Sequence, residues 1–227
     1  MTSVIPAGAS QLLLCLSSDW DAPAGHLQRF ERDAAEDWQP VGSPIAVTLG
    51  RNGMAWGRGV HPPMDGTGKC EGDGRAPAGV FAITGLFGYA AADDGWTAGL
   101  RLPYFTARPG LKCVDDPASA HYTCLVDQSV VAADWASCED MLRQDRRYEA
   151  GAVVAHNTTP PLPGAGSCIF LHVWETPDTP TAGCTAMSLA DMLTVATWLD
   201  GARQPLLVQL PEAEFARHQH AWGLPRR

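Results

Sequence analysis

The 227-residue sequence predicts a β-rich single domain carrying two helices on its flank. Glycine and proline are abundant, 23 and 18 residues, and that many breakers suit short strands joined by turns better than a helical bundle. Most apolar runs are short and end in clusters of turn residues. Only two stretches space their apolar residues at helical intervals. The length suits one sizeable domain, read here as residues 1–227, and 45% hydrophobic with 18% charged residues is the composition of a folded chain.

Taken in order, residues 12–16 form an apolar run that reads as a first strand. "PIAVTLGRNGMAWGRGV" alternates apolar residues with turn glycines and reads as strand, turn, strand. "GTGKCEGDGRAPAGVFAITGLFG" is a glycine-rich loop followed by a strand over 79–84. "DWASCEDMLRQDRRY" places Trp135, Cys138, Met141 and Leu142 at helical spacing behind an Asp134 cap, and predicts a helix over about 134–147 whose arginines face solvent. "GAVVAHN" and "SCIFLHVW" are strands separated by "TTPPLPGAG". "MSLADMLTVATWLDG" predicts the strongest helix, about 188–200, with Ser188 as cap, Asp191 in the first turn and Leu189, Met192, Leu193, Ala196 and Leu199 on one face. "PLLVQLP" is a last strand.

A formal charge of −9 argues against a nucleic-acid partner, which calls for a basic face. No apolar run approaches the ~20 residues that span a bilayer. No basic residue precedes the 12–16 run, so it makes a poor signal peptide, and a protein acting outside the cytoplasm would have lost its leader or would leave by another route. Seven cysteines are generous for the cytosol, and an odd number leaves at least one thiol free. Their pairing is open. No CxxC supports a zinc ribbon, and the sequence points to neither metal nor cofactor.

The chemistry concentrates in "GSCIFLHVWETPDTPTAGCTAMSLADML". His172 ends an apolar strand, and Cys184 follows Gly183 shortly before the helix opening at Ser188. A glycine lets the backbone turn sharply and can aim amides at an oxyanion, and a helix N-terminus favours a thiolate. A histidine within reach would complete an activated cysteine. Cys168 offers zinc or disulfide alternatives, but four regular strand steps would put it about 13 Å from His172, too far for one ion. If Cys184 lies beside His172, the same distance rules out a Cys168–Cys184 bridge, so Cys168 reads as core.

"IFLHVWETPDTPTAGCTAM" resembles the signature of the L,D-transpeptidase catalytic domain (YkuD-like) family, with a strand histidine followed by a Ser/Thr-x-Gly-Cys turn. "EGDGRAPAGVF" resembles its second hallmark, and "GRNGMAWGRGVH", "CVDDPASAHYTCLVD" and "GAGSCIFLHVW" resemble a soluble bacterial branch. The likeness covers about residues 40–210. It implies a β-sandwich-like fold and cysteine acyl transfer on peptidoglycan stem peptides, in the periplasm or outside the cell, by an enzyme open to carbapenems. Carried over, Cys184 is the nucleophile and His172 the base, and amides around Gly183, Cys184 and Thr185 hold the oxyanion. Ala182 and Ala186 depart from the family pattern, where many members have histidine and arginine or asparagine, and this leaves open how the donor's carboxylate is held. Arg58, Arg75 and Lys69 are candidates for that task, with solvated surface charge as the plain alternative. Trp174 is a candidate pocket wall and Asn157 a substrate contact or turn cap, while Asp115, Asp116 and Asp73 read as loop braces. Hydrolysis by an L,D-carboxypeptidase or amidase, delivery as a toxin with an unknown immunity partner, and a binding module without turnover are the alternatives.

Overall fold

The computed structural model describes residues 3–33 and 37–226. Its strands are β1 (Gln11–Ser17), β2 (Ala24–Glu31), β3 (Gln39–Thr48), β4 (Met54–Trp56), β5 (Ala76–Gly88), β6 (Tyr104–Thr106), β7 (Leu111–Val114), β8 (Leu125–Asp127), β9 (Cys138–Asp140), β10 (Ala150–Val154), β11 (Phe170–Val173), β12 (Thr185–Met187) and β13 (Leu206–Pro211), and its α-helices are α1 (Leu189–Trp198) and α2 (Glu212–Trp222). The main sheet runs β10-β11-β12-β3-β2-β1-β13-β5-β4, with β6 also on β5, and β10 returns to pair with β5. The path therefore closes on itself around the core.

β5 makes the closure possible. Its residues 79–82 pair with β13, and its residues 83–88 pair with β10 across a register shift at Val153/Val154. One long strand thus serves two layers, turning at a bulge as sandwich corners do. β1 and β13 pair in parallel and are buried along their whole lengths, which is why both read as apolar runs, broken in β13 only by the hydrogen-bonded Gln209. α1 packs on β10 and β11, and α2 on β13 and β1. Among the described residues, no helix is long and apolar enough to cross a membrane.

The mainly β, sandwich-like architecture with two helices is present, but one helix is elsewhere. Residues 134–147 are not helical: β9 pairs with β7, and Arg146 stands at φ +60°. Asp134 caps no helix of its own. It accepts hydrogen bonds from Ser119 and Ala120, while Asp116 accepts from Ala136 N–H, so two loops are stitched together. Met141 is fully buried and Leu142 is exposed, where one helical face would have buried both. The arginines pair within this irregular stretch, Arg143 with Asp145 and Arg146 with Glu149.

The second helix is α2, beyond the last strand assigned from sequence. Pro211 precedes it, Glu212 and Glu214 occupy its first turn, and Gly223 ends it at φ +70°. Phe215 and Trp222 are the apolar residues it buries. β7, β8 and β9 form a separate small sheet that packs through its own apolar cluster against β5 and β11.

Candidate active site

β11 and β12 lie side by side in parallel, with Leu171 opposite Thr185 and His172 opposite Ala186. This register puts Cys184 level with Phe170, whose N–H lies 3.4 Å from the Cys184 Sγ. The turn carrying the thiol is locked from within. Gly183 N–H donates to Thr181 Oγ1 at 3.1 Å, and that hydroxyl donates to Cys184 O at 2.6 Å. Gly183 has φ +154°, and a Cβ there would come within 3.0 Å of Arg75 O, so conformation and space both call for glycine.

His172 Nδ1 lies 2.8 Å from Val173 O. A carbonyl only accepts, so Nδ1 carries the hydrogen and Nε2 keeps its lone pair. The buried Tyr148 ring stands edge-on to both His172 (5.5 Å) and Phe170 (5.5 Å), so Phe170, His172 and the thiol beside them share the face that Tyr148 covers. The Tyr148 hydroxyl donates to Glu139 on β9, and the small sheet thereby reaches the histidine. These two residues escaped the sequence analysis because the segment holding Glu139 was assigned to a helix.

The surroundings of Cys184, which is part-buried, work against the helix-based expectation of an ionised thiol. Burial pushes the Cys184 thiol up to about 12, with the Glu139 charge adding to it. β12 separates Cys184 from the α1 N-terminus, whose field fades within one turn. Burial likewise pushes the His172 imidazole down to about 4. Both shifts favour a resting pair that is neutral on both sides.

A second buried imidazole, His156, is also pushed down to about 4 by burial, and it fastens Arg58 N–H to Ala165 O through its two ring nitrogens. Both groups bind protons more weakly folded than unfolded. Their stabilisation is complete above the unfolded value near 6.5 and is lost as pH falls towards 4. Urea titrations at about pH 7.5 and pH 5 are expected to differ by roughly 2 kcal/mol for each imidazole, less stable in acid. Equal midpoints would show that neither is buried uncharged.

The remaining sequence-predicted residues separate into near and far. Thr185 is buried and donates to Gln209 Oε1 at 2.6 Å, so its side chain ties β12 to β13. The Arg75 guanidinium is turned to Met54 O, Trp20 O and Asp21, and its backbone carbonyl lies against Gly183. Asn157 stands at φ +56° and binds Leu162 and Gly166, and Arg58 Nε donates to it at 3.0 Å; together they shape the 157–166 loop. Trp174 is half-buried just past His172. Asp73 braces its loop as expected, accepting from Lys69, Cys70 N–H and Arg75 N–H. Lys69, weighed as surface charge, is instead 8% exposed and lies against Gly183.

Cys168 also differs from expectation. It stands at φ +51°, so the strand begins only at Phe170 and the 13 Å separation that assumed regular extension does not apply. The turn brings Cys168 O to 3.7 Å from the Cys184 Sγ. Its own sulfur is bonded to Cys113 of β7, which joins the small sheet to the approach of β11. Among the described residues, no group of three or more His, Cys, Asp and Glu side chains is arranged to hold a metal.

No curated protein matches the chain. Residues 28–208, most of its length and including both the glycine-rich loop and the histidine–cysteine pair, match the L,D-transpeptidase catalytic domain, YkuD. The chain belongs to the L,D-transpeptidase catalytic-domain family, whose members are cysteine-dependent enzymes of peptidoglycan.

Proposed function

We propose that this protein is an L,D-transpeptidase that forms a Cys184 thioester on peptidoglycan stem peptides and passes the acyl group to an amine. The observation that carries this reading is the Gly183–Cys184 turn set beside a histidine whose free Nε2 shares its face. His172 takes the thiol proton as Sγ adds to the carbonyl after the L-centre of the third, diamino-acid residue. The imidazolium then returns the proton to the departing D-amino acid, as general acid–base catalysis requires. Gly183 acts through its conformation, since its amide is held by Thr181. Trp174 walls the donor groove, and Asn157 with Arg58 fixes the loop at its edge.

The site of action is the periplasm or the cell exterior. The Cys113–Cys168 disulfide supports an oxidising compartment.

Muropeptides digested after incubation with the protein and weighed by mass spectrometry test the reaction. New 3–3 cross-links or exchanged D-amino acids are the expected products. Tripeptides alone would overturn transfer in favour of hydrolysis.

A further inference from the structure

Lys69 lies in the glycine-rich loop before β5, and its side chain runs past two glycines, of which Gly166 makes room for it. A Cβ built on Gly166 would lie 3.0 Å from Lys69 Cε, and one on Gly183 would lie 3.4 Å from Lys69 Nζ. The side chain thus threads between the loop that precedes β11 and the turn that carries the nucleophile.

An ammonium has three hydrogens to donate. Here Asp73 Oδ1 accepts at 2.8 Å and Cys70 O at 3.4 Å. Asp73 is itself held by Cys70 N–H and Arg75 N–H, each at 2.8 Å, so the lysine is positioned before any substrate arrives. Nζ itself lies on the Gly183 side.

The nucleophile turn is short of donors. Gly183 N–H is occupied by Thr181 Oγ1, and Thr185 is paired into the β11–β12 ladder. That leaves the Cys184 N–H, whereas an oxyanion is held well by two or more preorganised donors.

We propose that Lys69 is a catalytic residue whose ammonium, together with the Cys184 N–H, holds the oxyanion formed when Cys184 attacks the scissile carbonyl. Sγ forms a bond to the carbonyl carbon, and the C=O π pair moves onto the oxygen facing Lys69. The thiol proton passes to His172 Nε2. Collapse restores the C=O and breaks the C–N bond, and the amine leaves with the proton from the imidazolium. The inference rests on Cys184 being the nucleophile and adds a side-chain donor where only backbone amides were expected.

A Lys69→Met variant would strand Asp73, so the variant of choice is Lys69→Met with Asp73→Asn, which removes both charges. Two reactions of Cys184 are compared by the mass of the proteolytic peptide that carries it, because Cys70 and Cys124 are exposed free thiols that react as well. Acylation by p-nitrophenyl acetate, a neutral ester with no carboxylate, develops an oxyanion; alkylation by iodoacetamide does not. Charged groups around the thiol, namely Glu139, Arg143, Lys69 and the Tyr148–Glu139 pair, affect both reactions through its ionisation, and the ratio of rates removes that common effect. Acylation is expected to fall ~100-fold or more while alkylation changes far less. Equal slowing of both, or acylation by the ester at the wild-type rate with slowing only towards a carbapenem, which carries a carboxylate, would overturn the oxyanion role. If the wild-type protein alkylates at Cys184 but forms no acyl adduct with either reagent, the nucleophile reading falls, and the Lys69 role with it.

Discussion

Replacing Cys184 with alanine is expected to abolish covalent capture of a carbapenem and to lower acyl transfer by at least ~10⁴-fold, because the other hydroxyl on that turn, Thr181, is tied up holding it. His172→Gln keeps a polar side chain of similar reach but cannot accept and return the proton, and is expected to lose about 10²–10⁴-fold. The pH dependence distinguishes how the pair works. With the imidazole down at about 4 and the thiol up at about 12, the neutral pair persists across the whole neutral range. The acylation rate, followed by intact-protein mass, is therefore expected to be nearly flat from about pH 6 to pH 9 and to fall only as His172 protonates in acid. A tenfold rise per pH unit through that range would mean that a free thiolate attacks unaided, and an adduct surviving in Cys184→Ala would place the nucleophile elsewhere.

Removing the Cys113–Cys168 disulfide carries the largest expected loss of stability. The bridge closes a loop across a sequence separation of 55 residues, which in the chain-entropy model is worth about 4 kcal/mol. The double variant Cys113→Ser/Cys168→Ser avoids leaving a lone thiol beside Cys184, and is expected to melt roughly 10 °C lower. Activity should fall as well, because the small sheet held by the bridge carries Glu139, which anchors Tyr148 against His172. Thermal melts of the wild type with and without reductant give the same comparison without mutation. An unchanged melting temperature under full reduction would show that the small sheet needs no such tie.

The candidate site was legible to the extent that its chemistry is local. Gly183 and Cys184 are neighbours, and the requirement for glycine there is written in the residue itself. Ser188 accepts from Asp191 N–H at 3.1 Å as a cap should, and the helix behind it is where the spacing places it. Local signals mislead where a distant partner wins. Met141 and Leu142 sit at plausible helical positions, yet β7 offers the segment a ladder, and Asp134 finds its donors in another loop. α2 was the opposite case: its acidic first turn and terminal Gly223 are readable, but the helix lies past the point where the strand pattern ended.

By itself, then, the sequence determined a β-rich chain, the α1 helix and the family, and pointed to a candidate cysteine–histidine pair, because turns, caps and apolar periods act over a few residues. Tertiary structure alone decided that Cys168 bonds Cys113, that Arg75 turns its guanidinium away, and that Lys69 is drawn inside against the Gly183–Cys184 turn. It also set the surroundings of the pair, where helix proximity favours a thiolate and desolvation favours the neutral thiol. Each of these depends on what packs across the sheet, and desolvation by neighbours remote in the chain outweighs a helix-end field that fades within a turn.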